Sequence, residues 1–95
     1  MRKYEIMYIV KGDLEEKDVK TIEKTFEKIL TDGKAKIIDK KEMGLKKLAY
    51  EIKKSKTGYY FLINVESNSE TIKEFDRKAL IEEKILRHLI IKSEE

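Results

Sequence analysis

The chain has 95 residues, with no cysteine and no proline, and carries 22 Lys and Arg against 19 Asp and Glu. That length suits one domain with a modest core; disulfides and thiolate metal sites are excluded, and no apolar run approaches the ~20 residues that span a bilayer. The net charge of +3 hides an asymmetry, because residues 33–65 hold 9 bases and 3 acids while the segments before and after are each slightly acidic.

An anionic partner is therefore drawn to the middle of the chain. The first apolar run, Ile6 to Val10, is too short for a signal peptide. A cytoplasmic protein with no membrane contact is expected.

In chain order, residues 2–10 alternate as a strand. Tyr4, Ile6, Tyr8 and Val10 share one face, and Lys3, Glu5, Met7 and Ile9 share the other. The first set is the more apolar and is expected in the core. Lys11-Gly12-Asp13 leaves the strand, and Asp13 to Glu16 has the spacing of a capping box. Val19, Ile22, Phe26, Ile29 and Leu30 then recur at helical spacing, and Gly33 is expected to end the helix as a left-handed glycine.

A second strand begins at 35–39. Gly44 predicts a bulge or bend that lets it continue to Ile52. Lys53 to Gly58 reads as a polar turn, with Gly58 free to take a positive φ. The third strand spans 59–66, with Tyr59, Phe61, Ile63 and Val65 toward the core and Tyr60, Leu62 and Asn64 away from it. Ser67 to Glu70 has capping-box form. Ile72, Phe75, Ala79 and Leu80 give a second helix its inward stripe, ending near Ile81 or Glu82. Residues 85–92 form a last strand, and 93–95 a short mobile tail.

The order is βαββαβ over a single domain, 1–95. Two split βαβ units with right-handed crossovers give an α+β, ferredoxin-like sandwich. Its four-stranded antiparallel sheet has the first and third strands in the middle, with both helices on one face.

The run Gly44-Leu45-Lys46-Lys47-Leu48-Ala49-Tyr50-Glu51-Ile52, followed by Gly58-Tyr59-Tyr60-Phe61, resembles the central hairpin of the bacterial small-subunit (30S) ribosomal protein six family. The opening Met1-Arg2-Lys3-Tyr4-Glu5-Ile6 and the closing Arg87-His88-Leu89-Ile90-Ile91-Lys92 resemble that family's first and last strands. The likeness covers essentially the whole chain. It implies the same ferredoxin-like fold and a structural role in the small ribosomal subunit. It also implies binding to the central domain of 16S ribosomal RNA, together with ribosomal protein eighteen, during assembly. Some members of that family carry a long acidic C-terminus; here only Glu94-Glu95 would correspond.

Catalytic chemistry has no foothold in the sequence. His88 is the lone histidine, no nucleophile–base set or phosphate-cradling glycine loop occurs, and nothing has metal-ligand spacing. No cofactor and no small-molecule substrate are expected. An acylphosphatase-like enzyme would need an arginine-bearing phosphate loop after the first strand, where this chain has Lys11-Gly12-Asp13. The RNA-recognition motif asks for a basic residue, a small residue and a terminal aromatic on its third strand. Thr57, Tyr60 and Asn64 stand at those places, so base stacking on the sheet is not expected.

Two surfaces are left. Arg2, Lys3, Lys46, Lys47, Arg87, His88 and Lys92 are the candidate RNA contacts, with Arg2, Lys3, Arg87 and Lys92 expected close together, Arg2 and Lys92 as a basic corner and Arg87 further along the edge. Met7, Ile9, Leu48, Tyr50, Tyr60 and Leu62 are the candidate contacts for a partner protein, because the helices cover only the opposite face. The alternative reading is a ligand-sensing or dimerising regulatory module. A hairpin that bends over the open face would cover the same apolar cluster.

Overall fold

Why the chain folds as it does is clearest from its strand pairing. The structure, a computed structural model, describes residues 2–93. Strand β1 (Arg2–Lys11) leads through α1 (Glu16–Asp32) to β2 (Lys36–Ile52) and β3 (Ser55–Ser67). Helix α2 (Ser69–Ile81) then leads to β4 (Ile85–Lys92). The sheet order is β2-β3-β1-β4, all antiparallel. The expected topology is the one observed. Glu94 and Glu95 of the expected mobile tail lie outside the described residues, and the Ser93 amide donates to the Lys3 carbonyl at 2.8 Å.

The alternation in β1 and β3 sets the core. Ile6, Tyr8 and Val10 pair with Ile63, Phe61 and Tyr59, and all but the half-buried Tyr59 are buried against the helices. Val19, Ile22, Phe26 and Leu30 of α1 and Ile72, Phe75 and Ala79 of α2 close the other side. At the centre, the Tyr8 and Phe61 rings stack at 5.0 Å and Phe26 meets Phe75 edge-on at 5.1 Å. Leu80, expected inward, is exposed, because the inward stripe runs through Ile72, Phe75 and Ala79, and Leu80 lies one position round the helix from it.

The helix ends differ from expectation in informative ways. Helix α1 starts after Glu15, and no side chain caps it. Helix α2 is capped by Asn68, whose Oδ1 accepts from the Thr71 amide at 2.8 Å, while Ser67 is buried and donates to the Asn68 carbonyl. At the end of α1 the left-handed residue is Lys34 (φ 64), and Gly33 is not left-handed. The bonds Ala35 N–H to Leu30 O and Lys34 N–H to Thr31 O make the Schellman pattern with Lys34 at its turning point. Gly33 is needed for space: a Cβ there would sit 2.2 Å from Thr71 Oγ1 of α2.

The hairpin departs most from expectation. Gly44 takes φ 80 at a register shift, so the predicted bulge is present. Gly58 has no positive φ and lies inside β3, where a Cβ would meet Ile9 Cγ2 at 2.4 Å. The turn is only Lys53-Lys54, both left-handed (φ 49 and 64). Left-handed backbone costs a residue with a Cβ about 1–2 kcal/mol, and this turn type normally takes Asn-Gly.

Candidate nucleic-acid and partner interface

The open face begins as the solvent parity of β1 and β3, and the hairpin then covers half of it. Lys47 pairs with Thr57 and Ile52 with Ser55, so residues 48–51 bulge out against Lys56 alone. That slack lets the end of β2 fold over the sheet. Leu48 becomes buried with Ile9 and Leu86, with Ile52 and Tyr60 packed around them. The Tyr50 ring crosses to β4 and lies 5.4 Å from the Arg87 guanidinium carbon, a cation–π contact. Lys53 Nζ reaches the Ile85 carbonyl at 3.2 Å.

The candidate partner residues therefore separate. Ile9 and Leu48 are 6% and 8% exposed; they are a second core beneath the hairpin, which corrects their reading as free surface. Tyr60 is half-buried at the edge of that cluster. Met7 and Leu62 remain half-buried outside it, and Tyr50 is exposed. The register adds two residues that the sequence reading left out. Met7 pairs with Leu62 on one side and Leu89 on the other, and Ile91 pairs with Glu5. Leu89 and Ile91 are exposed, so the open apolar stripe runs Leu62–Met7–Leu89 and leans toward the β4 edge.

The candidate RNA residues also separate. Arg2 pairs with Ser67, Lys3 with Glu66 and Lys92 with Tyr4, so these three gather at the corner where β1 starts and β4 ends. Arg87 pairs with Ile9, seven residues along β1, which is about 23 Å away at a strand's rise. Arg87 thus stands further along the edge, as expected, but too far away to lie close to the other three, because antiparallel β4 reaches the corner only at its last residues. Lys46 and Lys47 are exposed on β2 opposite Gly58 and Thr57, at the same end of the sheet as Arg87 but on the opposite edge.

His88 faces the helices. Its side chain is 12% exposed, and Nε2 lies 2.6 Å from Asp76 Oδ1 of α2. It ties β4 to α2 and is not presented to a ligand. Lys40 is likewise withdrawn from the basic surface. Its Nζ lies 2.8 Å from Glu27 Oε1 and 2.9 Å from Glu23 Oε2 of α1, and those two bonds raise its pKa above the usual lysine range. Burial pushes the Glu23 carboxyl up, Lys40 opposes the rise and Glu42 adds to it. Burial also raises the Tyr8 hydroxyl, with Glu23, Glu27 and Glu42 contributing; it has no hydrogen-bond partner among the described residues.

No group of three or more His, Cys, Asp or Glu among the described residues could hold a metal ion, and no described helix is long and apolar enough to cross a membrane. The surface that the strands do build is cationic at both ends and apolar between. Tyr59 and Phe61 lie on the helix side of β3, so the sheet offers no aromatic pair for base stacking there.

Comparison with known proteins agrees with this architecture. The chain is similar over 97% of its length to a 30S ribosomal protein S6 from Thermotoga maritima, with a TM-score of 0.90, 28% identity and 87% of that chain covered. The family model described as Ribosomal protein S6 matches residues 3–92, from β1 through β4. The chain belongs to the ribosomal protein S6 family, a family of the small ribosomal subunit.

Proposed function

We propose that this protein is a structural RNA-binding component of the small ribosomal subunit, binding the central domain of 16S ribosomal RNA together with ribosomal protein eighteen. The observation that carries the reading is the corner formed by Arg2, Lys3 and Lys92, in a chain of this family. Lysine and arginine at such a rim recognise RNA by phosphate and shape. Lys46, Lys47 and Arg87 extend the cationic rim along the other end. The partner protein packs on the stripe Leu62–Met7–Leu89, with Tyr50 beside it.

Binding of central-domain RNA, measured by gel shift with and without the partner, tests this. Arg2→Gln and Lys92→Gln should each weaken binding and lower the slope of log affinity against log salt by about one unit. Leu89→Asp should abolish the heterodimer while leaving thermal unfolding unchanged, because that side chain is exposed in the free chain. Unchanged slopes in both cation variants would remove the corner from the interface. A wild-type chain that forms a homodimer and ignores ribosomal RNA would favour the regulatory-module reading.

A further inference from the structure

The hairpin tip meets the rest of the fold at the far end of β1. Lys53, Lys54, Lys11 and Glu83 line one depression there of about 500 Å³. Three separate segments supply it: the β2–β3 turn, the end of β1 and the α2–β4 turn. Its walls are tied by backbone bonds, Lys11 N–H to Lys84 O at 2.9 Å and Gly12 N–H to Thr57 O at 3.0 Å. Lys53 is held across it by the bond from Nζ to Ile85 O. None of the three lysines forms an ion pair among the described residues. Lys84 adds an exposed cation beside the rim.

The turn itself is the second observation. Both of its residues carry positive φ and neither is Gly or Asn, so the backbone is strained where a common substitution would relax it. A strained position persists when the surrounding structure or a function over-determines it. Here the strained turn places two lysines on a depression that a third lysine and one glutamate also line.

We propose that this depression is an anion seat that takes a phosphate of an RNA backbone. The assignment of RNA as the ligand's source rests on the reading of the protein as an RNA-binding ribosomal protein. The seat lies about 30 Å from the Arg2–Lys3–Lys92 corner, the length of β1 at a strand's rise. It therefore gives the chain a second, separate grip on RNA. Fixed walls reduce the ordering cost of binding, and loss of counterions from the phosphate makes it salt-dependent.

Two measurements on the full chain test the seat. In the first, inorganic pyrophosphate is titrated and amide chemical shifts are followed. Saturable shifts at Lys11, Gly12, Lys53 and Lys54 are expected, with Lys11→Gln plus Lys54→Gly abolishing them and Glu83→Gln strengthening them. In the second, binding of central-domain RNA is measured against salt. The same double variant should raise Kd about tenfold or more at low salt and lower the salt slope by about one. Its Tm should stay unchanged or rise, because glycine relaxes position 54.

Pyrophosphate that shifts none of those amides overturns the seat. So does an unaltered RNA affinity and slope in the double variant when the wild-type chain binds RNA. Pyrophosphate shifts in a chain that never binds ribosomal RNA would keep the seat and overturn the ribosomal reading of its ligand.

Discussion

Replacing Lys40 with Met tests how the hairpin is fastened to α1. In the native fold the Lys40 ammonium bridges Glu27 and Glu23, and the Glu23 side chain is only 7% exposed. Methionine keeps much of the stem and removes the charge, leaving Glu23 buried beside Glu42 with no cation. Leaving a buried polar group uncompensated costs about 1–3 kcal/mol, more where it is charged; the more open Glu27 hydrogen bond contributes less, under about 1 kcal/mol. Lys40→Met should thus cost about 2–3 kcal/mol at neutral pH, read from urea unfolding. The pH dependence follows from the direction of the Glu23 shift. Its folded pKa is raised, so the folded chain holds a proton that the unfolded chain releases, and this contribution to stability is lost as pH rises through the folded value. Without Lys40 that value rises further. The variant's deficit should therefore shrink as pH falls toward about 4, the unfolded value. Glu23→Gln in the Lys40→Met background should recover most of the loss at neutral pH and nothing near pH ~4. A loss under about 0.5 kcal/mol, or one that is equal at both pH values, would refute the reasoning.

Two further substitutions probe the core. Tyr8→Phe removes a buried hydroxyl without a partner among the described residues and should stabilise by about 1 kcal/mol, seen as a Tm rise of roughly 4–8 °C; a fall would mean the hydroxyl is bonded. Phe75→Ala empties a fully buried site against Phe26 and Tyr8 and should cost about 3–5 kcal/mol in denaturant unfolding, whereas a cost below about 1 kcal/mol would place the ring outside the core.

What the sequence made legible is what local periodicity encodes. The strict alternation of β1 and β3 identified Ile6, Phe61 and Ile63 as core, and the helical stripe did the same for Phe26 and Leu30. The element order then fixed the sheet order. Cover was not legible. Alternation assigns Ile9 to the open face, but Leu48 of the hairpin segment that buries it arrives from some forty residues away. The turn was hidden too. Lys53-Lys54 carries none of the Gly or Asn chemistry that marks a two-residue turn, so local chemistry points to Gly58 instead, although close approach to Ile9 is what that glycine provides. At the end of α1 the same local rule favoured Gly33, while the packing of Thr71 reserved that position and left Lys34 to turn the chain.

The covered half of the sheet narrows what a partner protein has to be. If the whole open face were free, a flat apolar surface could pack there. With Ile9, Leu48 and Leu86 sealed under the hairpin, the free apolar groups centre on one row across three neighbouring strands, Leu62, Met7 and Leu89, with Ile91 next along β4. Two strand spacings make that row about 10 Å wide, the diameter of a single helix with its side chains. Cations stand on both sides of it along the strands, Lys3 and Lys92 toward one end of the sheet and Arg87 and Lys46 toward the other. On the proposed reading, the partner needs one apolar seam and leaves both cationic ends of the sheet uncovered. Its own positive charge would then be tolerated only away from the two ends, because like charges brought together there would oppose docking until RNA neutralised them.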